Sequence, residues 1–237
     1  TKLITGGIDV QKDCLYWVIR AWGDYMTSQL IACGKVQTME EIEPIMNTEF
    51  KLPGGDTAMV NLTLMDSGDR TDEVYEFYYH NSDWMLPCKG TTTMTSHYRL
   101  SIINKAGSKA TGMTLVLVDG GKYKDLIAAR MRKSNGQGSW MVFGGIDDEY
   151  AEQVTAEHKL TVRSNGRDVE RWVKKTTHAD NHYLDCEVYS LAAADILGVR
   201  MLHLQVEAER KEQLQRQQEE NPETPEENWI RANEHWV

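Results

Sequence analysis

Long apolar runs are missing from this 237-residue chain, and cysteine and proline are scarce. The most apolar stretch, residues 113–118, is far shorter than the roughly 20 residues that a membrane span requires. Residues 1–7 lack the pattern of a signal peptide. Four cysteines without a CxxC pair argue against a zinc ribbon or a disulfide scaffold, and only five prolines argue against a collagen-like chain. We therefore expect a protein without membrane contact in a reducing compartment.

Positive charge is also in deficit, because the net charge of the chain is −10. By itself this charge argues against a protein that binds nucleic acid, since such proteins neutralise phosphates with Lys and Arg. The deficit is uneven, because residues 206–237 hold nine Glu against four Lys or Arg. Two basic segments interrupt the rest of the chain: Lys122, Lys124, Arg130, Arg132 and Lys133, then Arg163, Arg167, Arg171, Lys174 and Lys175. Basic ridges around an acidic centre would suit a metal-dependent nuclease, and two solvated faces are the alternative.

The hydrophobic pattern predicts an α/β fold with a mixed sheet flanked by helices. Residues 3–9, 14–22 and 29–36 have the composition of three strands in an antiparallel meander. Further strands are predicted at 58–65, 84–88, 113–118 and 140–143, and a hairpin is predicted from 160–162 and 169–173. Helices are predicted at 39–50, 71–79, 123–132, 147–154 and 184–206. Thr38 is the expected cap of the first of these helices, and Thr71 is the expected cap of the second. Residues 90–112 show no period and are predicted to be a loop. Antiparallel strands followed by β-α-β crossings indicate a mixed sheet.

The pattern also predicts a boundary near residue 205. Residues 1–205 form the expected folded domain, and residues 206–237 form an acidic tail that is partly helical and partly disordered. Pro222 and Pro225 would interrupt any helix there. Trp229 and Trp236 nevertheless follow, which indicates either a short motif for a partner or a segment that folds back on the domain.

Three aspartates are the candidates for chemistry. Asp9 and Asp66 each end an apolar strand, and Asp185 lies near the start of the longest predicted helix. Adjacent central strands would place Asp9 beside Asp66, and the helix could bring Asp185 across from them. Converging carboxylates are costly unless a cation neutralises them, and oxygen ligands favour Mg²⁺ or Mn²⁺. Each aspartate alone could instead belong to a turn or a helix cap.

The residues around these aspartates form a wider set of motifs. They are Gly7-Ile8-Asp9-Val10-Gln11, Trp22-Gly23, Met65-Asp66-Ser67-Gly68 with Thr71 and Val74-Tyr75, Lys89-Gly90, Asp119 with Lys122, Asn181, Leu184-Asp185-Cys186 and Tyr189-Ser190-Leu191-Ala192-Ala193-Ala194. Over about residues 3 to 200 the chain resembles the nuclease half of the large terminase subunit of lambda-type tailed phages. The blocks around Asp9 and Asp185 are the most specific parts of this resemblance.

The resemblance implies an RNase H-like fold and an endonuclease that cuts concatemeric double-stranded viral DNA. It implies that Asp9, Asp66 and Asp185 are catalytic and hold two Mg²⁺ or Mn²⁺ ions. We expect Lys122, Lys124, Arg130 and Arg132 to bind DNA. His182 departs from the family pattern, in which Glu is more usual at this position. It could serve as a further metal ligand or as a proton relay, and the alternative is a partly exposed surface histidine without such a role. Zinc held by His178 and His182 is a weaker alternative.

The resemblance also implies partners. The family couples its nuclease to an ATPase motor. No GxxxxGK[ST] phosphate loop occurs in these 237 residues. We therefore expect the N-terminal ATPase domain to be missing and this fragment to lack ATPase activity. The terminase small subunit is a further expected partner, and the portal of the procapsid is expected to bind the C-terminal tail. The expected location is the host cytoplasm. Two other functions remain open: a junction-resolving nuclease of the same fold, and a non-catalytic module that docks to the portal or small subunit.

Overall fold

The computed structural model describes residues 1–52, 54–92, 94–104, 110–164, 166–204, 207–208, 211–213 and 216. The strands are β1 (Leu3–Val10), β2 (Leu15–Trp22), β3 (Ser28–Val36), β4 (Phe50–Lys51), β5 (Thr57–Ala58), β6 (Leu62–Asp66), β7 (Met85–Thr91), β8 (Tyr98–Ile102), β9 (Thr114–Asp119), β10 (Trp140–Met141), β11 (Glu157–Ser164) and β12 (Arg167–Lys174). The α-helices are α1 (Ile42–Met46), α2 (Thr71–His80), α3 (Gly120–Met131), α4 (Asp148–Val154) and α5 (His182–Ile196). No described helix is long and apolar enough to cross a membrane.

Eight of these strands form one mixed sheet in the order β10-β3-β2-β1-β6-β7-β9-β8. The first three strands of the chain pair antiparallel, as the meander prediction requires. β6 pairs parallel with β1, and β7 and β9 continue in parallel, so each crossover needs an intervening segment such as α2. An antiparallel meander extended by parallel strands on the β1 side is the arrangement expected of the RNase H-like fold, and the predicted fold class is confirmed.

Helices cover both faces of this sheet. Successive side chains of β1 point to opposite faces, so each face presents β1 residues to a helix. Ile4 and Ile8 pack in a buried cluster that includes Ile42 and Met46 of α1 and Val74 of α2. The opposite face of β1 lies against α5. At Gly7 an added Cβ atom would come within 1.9 Å of the Cys186 carbonyl oxygen, so only glycine permits the strand and helix to approach this closely.

Several predicted boundaries are wrong. α1 spans only Ile42–Met46 rather than 39–50, and Thr38 does not cap it, because the carboxylate of Glu41 accepts hydrogen bonds from the Gln37 and Thr38 amides. Thr71 does not cap α2 either, because its hydroxyl donates to the Ser67 carbonyl. The stretch 58–65 is divided between β5 and β6.

Two longer segments also differ from their predictions. The segment 90–112 contains β8, an edge strand whose exposed Leu100 and Ile102 leave it without a clear alternation. The last predicted helix, 184–206, divides because α5 ends at Ile196 and Gly198 adopts a φ of +79° just beyond it.

The chain divides into two units, residues 1–200 and residues 201–237. All of the strands and α-helices named above belong to the first unit. In the second unit the described residues 202–204, 207–208, 211–213 and 216 are helical. The predictions for Trp229 and Trp236 lie outside the described residues.

Candidate active site

The sheet places Asp9 and Asp66 side by side. β1 and β6 are parallel neighbours with Ile8 paired to Met65, and the next residue on each strand is one of these aspartates. Both carboxylates therefore lie at the edge of the sheet where the parallel strands end. Asp9 is buried and Asp66 is partly buried. This is the juxtaposition that the strand pattern predicts.

α5 brings the third carboxylate to the same edge. Asp185 lies in the first turn of this helix, next to Cys186, which contacts β1 at Gly7. Burial raises the pKa of Asp185, Lys124 opposes that increase, and repulsion from Asp9 adds to it. Asp185 is therefore close enough to Asp9 for the two charges to interact.

Asp66 is also penalised for being ionised. Burial and repulsion from Asp9 raise the pKa of Asp66 to about 6, and the charge of Asp185 contributes in the same direction. Hydrogen bonds from the Gly68 amide and the Tyr189 hydroxyl stabilise the carboxylate and limit the increase. The three predicted acids thus form one electrostatic group, in which each negative charge disfavours the others.

A buried lysine partly neutralises this group. The ammonium Nζ of Lys124 lies 2.7 Å from Oε1 of Glu157 and 3.1 Å from Oδ1 of Asp185, and its side chain is only 12% exposed. The amide Nδ2 of Asn181 donates to both carboxylates, at 2.7 Å to Glu157 and 3.0 Å to Asp185. Although burial lowers it, the pKa of Lys124 is raised overall by the two acids. Asp185 is consequently held by two side chains, those of Lys124 and Asn181.

His182 lies beside Asp9 rather than on an open surface. Its Nδ1 atom is 2.8 Å from Oδ2 of Asp9, and its ring stacks on Tyr16 with 4.6 Å between centroids. An ionised carboxylate only accepts hydrogen bonds, so the tautomer assigned by this contact has the proton on Nδ1. Gln11 donates to the same Oδ2 atom at 2.8 Å. His182 and Gln11 therefore orient the Asp9 carboxylate.

The donors suit a hard divalent cation in kind, because they are carboxylate oxygens whose mutual repulsion a cation would relieve. Within the described ranges, however, no group of three or more His, Cys, Asp or Glu side chains is arranged as a ligand set. Asp185 instead contacts Lys124 and Asn181. The structure therefore gathers the three acids without forming a closed metal site.

The four residues predicted to bind DNA lie in different environments. Lys122 pairs with Asp119 at 2.8 Å and also donates to the Met94 carbonyl. Lys124 is the buried lysine beside Asp185, and Arg130 donates to the Gly138 and Tyr25 carbonyls at 2.9 and 3.2 Å. Arg132 is exposed just after α3. Lys124 and Arg130 thus make internal contacts that their sequence context did not reveal.

Sequence reasoning missed Glu157 as a site residue, together with the contacts of Asn181, Gln11 and Tyr189. Glu157 begins β11, which lies outside the main sheet, and it meets Lys124 across 33 positions of sequence. No periodicity links two such positions. The sequence identified Asn181 only as part of the motif before Asp185 and did not indicate which side chains it contacts.

The raised pKa of Asp66 leads to a prediction about stability. In the unfolded chain the pKa of Asp66 returns to about 3.8, so ionising this group costs folding free energy as the pH rises from about 4 through about 6. Asp66→Asn should therefore raise the unfolding temperature at pH 8 in the absence of metal, and the difference should shrink towards pH 4. Thermal unfolding of both proteins with chelator present measures this. A variant less stable than the parent at pH 8 would show that the hydrogen bonds to Asp66 outweigh the repulsion.

Comparison with known proteins agrees with the resemblance noted in the sequence. Residues 1–208 match the family described as terminase large subunit gpA, endonuclease domain. Among curated proteins no relative matches the chain. Among solved structures, a mutant nuclease domain of the large terminase subunit gp2 of bacterial virus Sf6, solved with manganese and beta-thujaplicinol, is similar over 79% of this chain and 87% of that chain, with 9% identity and a TM-score of 0.46. On the match over residues 1–208, the chain belongs to the family of terminase large subunit gpA endonuclease domains.

Proposed function

We propose that this chain is a divalent-metal-dependent endonuclease that cuts concatemeric double-stranded viral DNA during packaging. Membership of the endonuclease family supports the reaction class. The observation that carries the proposal is the convergence of three carboxylates from β1, β6 and α5 at one edge of the sheet. A cluster of this kind is electrostatically costly, and a cation is the simplest way to offset the cost.

Asp9, Asp66 and Asp185 are the residues that would hold Mg²⁺ or Mn²⁺, and two ions are the proposed number. Two such ions would supply an activated water and stabilise the leaving oxygen in phosphodiester hydrolysis. His182 and Gln11 hold Asp9 in place from the side, and Tyr189 does the same for Asp66. Asp185 would share its carboxylate between such a cation and Lys124, whose Nζ atom lies 3.1 Å from Oδ1 of Asp185.

The test of this proposal is cleavage of plasmid and linear duplex DNA by the purified chain. We expect cleavage with Mg²⁺ or Mn²⁺, complete loss with excess EDTA, and recovery when metal is added back. Cleavage that persists in EDTA would contradict metal dependence. Strong preference for a four-way junction over linear duplex would favour the junction-resolving alternative, and absence of cleavage with both metals would favour the docking module.

The finer assignments of partners are also proposals. Direct phosphate contact suits the exposed Arg132, whereas Lys124 and Arg130 would contribute positive charge from fixed positions. We propose that the chain itself hydrolyses no ATP, since its sequence contains no phosphate loop. The small terminase subunit, the portal as a partner of residues 206–237, and the host cytoplasm as location remain predictions.

A further inference from the structure

A basic arm, defined here as residues 157–175, lies outside the main sheet. It consists of β11 and β12, which pair antiparallel from Glu157 with Lys174 to Ser164 with Arg167. Its base is tied to α3, because the Trp172 indole nitrogen donates to Asp125 at 2.9 Å and Lys159 pairs with the same carboxylate at 2.9 Å. The arm is therefore a two-stranded ribbon anchored next to the helix that carries Lys124.

The charge of the arm is opposite to that of the whole chain. It holds six Lys or Arg residues against three Asp or Glu, in a protein of net charge −10. Two of its acids have internal partners, since Glu157 pairs with Lys124 and Glu170 pairs with Lys159 at 2.9 Å. Five of its cations are exposed and form no ion pair within the described part of the chain: Arg163, Arg167, Arg171, Lys174 and Lys175.

The arm also borders the candidate active site. A cavity of about 870 Å³ is lined on one side by arm residues that include Lys159, Arg171 and Trp172. Its other walls include Asp185 and Lys122. A ligand that contacts the arm would therefore lie beside one of the three acids. At its base the link is direct, since Glu157 of the arm shares Lys124 with Asp185.

We propose that the basic arm binds the phosphate backbone of duplex DNA and holds the duplex beside the active site. The proposal rests on the proposed endonuclease function and adds the surface that positions the substrate. Because strand alternation places Arg163 and Lys174 on one face of the ribbon and Arg167 and Arg171 on the other, the arm offers positive charge on both sides. A two-stranded ribbon has the width that the major groove accepts, with a phosphate chain on each side.

The arm also exposes apolar side chains, chiefly Leu160 and Val169, which are 45% and 39% exposed. A surface for protein contact would also use such residues. The unpaired arginines and lysines favour DNA, because a concentration of one charge suits the uniformly negative phosphate backbone. A protein partner, including a second copy of the chain, is therefore an outcome that the test must detect.

The test compares two triple variants of the 237-residue chain in EDTA, where binding is measured without cleavage. One carries Arg163→Gln, Arg167→Gln and Arg171→Gln. The matched control carries Lys2→Gln, Lys51→Gln and Arg99→Gln, which removes the same charge from exposed positions elsewhere. Fluorescence anisotropy with labelled duplexes of several sequences, across about 50 to 200 mM salt, gives the affinity and its salt dependence.

The arm variant should bind all duplexes at least about tenfold more weakly than the control, and its salt slope should fall by about 2 to 3, since each lost phosphate contact removes about 0.9. Lys174→Gln with Lys175→Gln gives an independent second variant, with an expected fall of about 1 to 2. Arm variants that match the control in both quantities would overturn the proposal. An unchanged slope with loss of self-association in sedimentation would assign the arm to protein contact and also overturn it.

The same series separates this proposal from the proposed function. A parent chain that binds duplex through the arm but never cleaves with either metal would contradict the endonuclease and leave the arm assignment standing. A parent that cleaves normally while the arm variants keep full affinity and slope would contradict the arm and leave the endonuclease standing. Circular dichroism melting of each variant shows whether the substitutions leave the fold intact.

Discussion

Replacing Asp9, Asp66 or Asp185 with Asn should each reduce metal-dependent DNA cleavage by at least about a thousandfold. The substitution keeps the shape of the side chain and removes one negative charge. Metal ions at such a site contribute several kcal/mol of transition-state stabilisation, and each 1.36 kcal/mol corresponds to about a tenfold change in rate. Initial rates of plasmid nicking at saturating Mn²⁺ and Mg²⁺ measure the loss.

The three variants should differ in stability, which separates loss of function from loss of fold. Asp66→Asn relieves repulsion and should be at least as stable as the parent at pH 8. Asp185→Asn weakens the contact with Lys124, and Asp9→Asn weakens those with Gln11 and His182, so neither should gain as much. We therefore expect the largest stability gain of the three for Asp66→Asn.

Asp83→Asn is a matched control for these three. Asp83 is an exposed aspartate just before β7, at the opposite end of the sheet from Asp66. It should keep full cleavage activity. Full activity in Asp9→Asn, Asp66→Asn or Asp185→Asn would remove that residue from the proposed site. Equal partial losses in these variants and the control would contradict a specific role for the three acids.

The sheet and the three acids were predictable because they depend on local pattern. Alternation in residues 14–22 predicted β2, and apolar runs that end in Asp predicted where Asp9 and Asp66 lie. Adjacent central strands were expected to place Asp9 beside Asp66, and the parallel pairing of β1 with β6 does so. The position of Asp185 near the start of a helix that packs on the sheet also followed from the pattern.

The network around Asp185 could not be predicted in the same way. Lys124 appeared to belong to a basic helix surface, yet α3 turns it towards Glu157 and Asp185. Such pairing depends on how α3, β11 and α5 pack in three dimensions, and no sequence spacing encodes it. β8 was missed for a different reason, because an edge strand with exposed Leu100 and Ile102 lacks the alternation of a half-buried strand.

The buried ion pair between Arg20 and Glu187 should have the largest effect on stability. Both side chains are fully buried, and the guanidinium makes two hydrogen bonds of 2.8 Å to the carboxylate. The guanidinium also donates to the Met141 carbonyl at 3.0 Å and lies over the Trp140 ring, while the Tyr150 hydroxyl donates to Glu187. These contacts join β2, β10 and α4 to α5, two residues beyond Asp185.

Arg20→Met or Glu187→Gln should each lower the free energy of unfolding by about 3 to 5 kcal/mol, because removing one partner leaves a buried charge without compensation. Arg20→Met combined with Glu187→Leu should recover much of that loss, since no charge then remains buried. Urea unfolding followed by circular dichroism measures all three. Lys2→Met, which breaks an exposed pair with Asp24, is the control and should cost less than about 1 kcal/mol.

The double variant also tests what the ion pair does for the site. If Arg20 and Glu187 fix the rotation of α5 over β1, the double variant should recover stability but not full cleavage, since Asp185 lies on the same helix. If close packing at Gly7 already sets the helix, stability and cleavage should return together. A single variant that loses less than about 1 kcal/mol would contradict the account of an uncompensated buried charge, and would mean that water reaches the remaining partner.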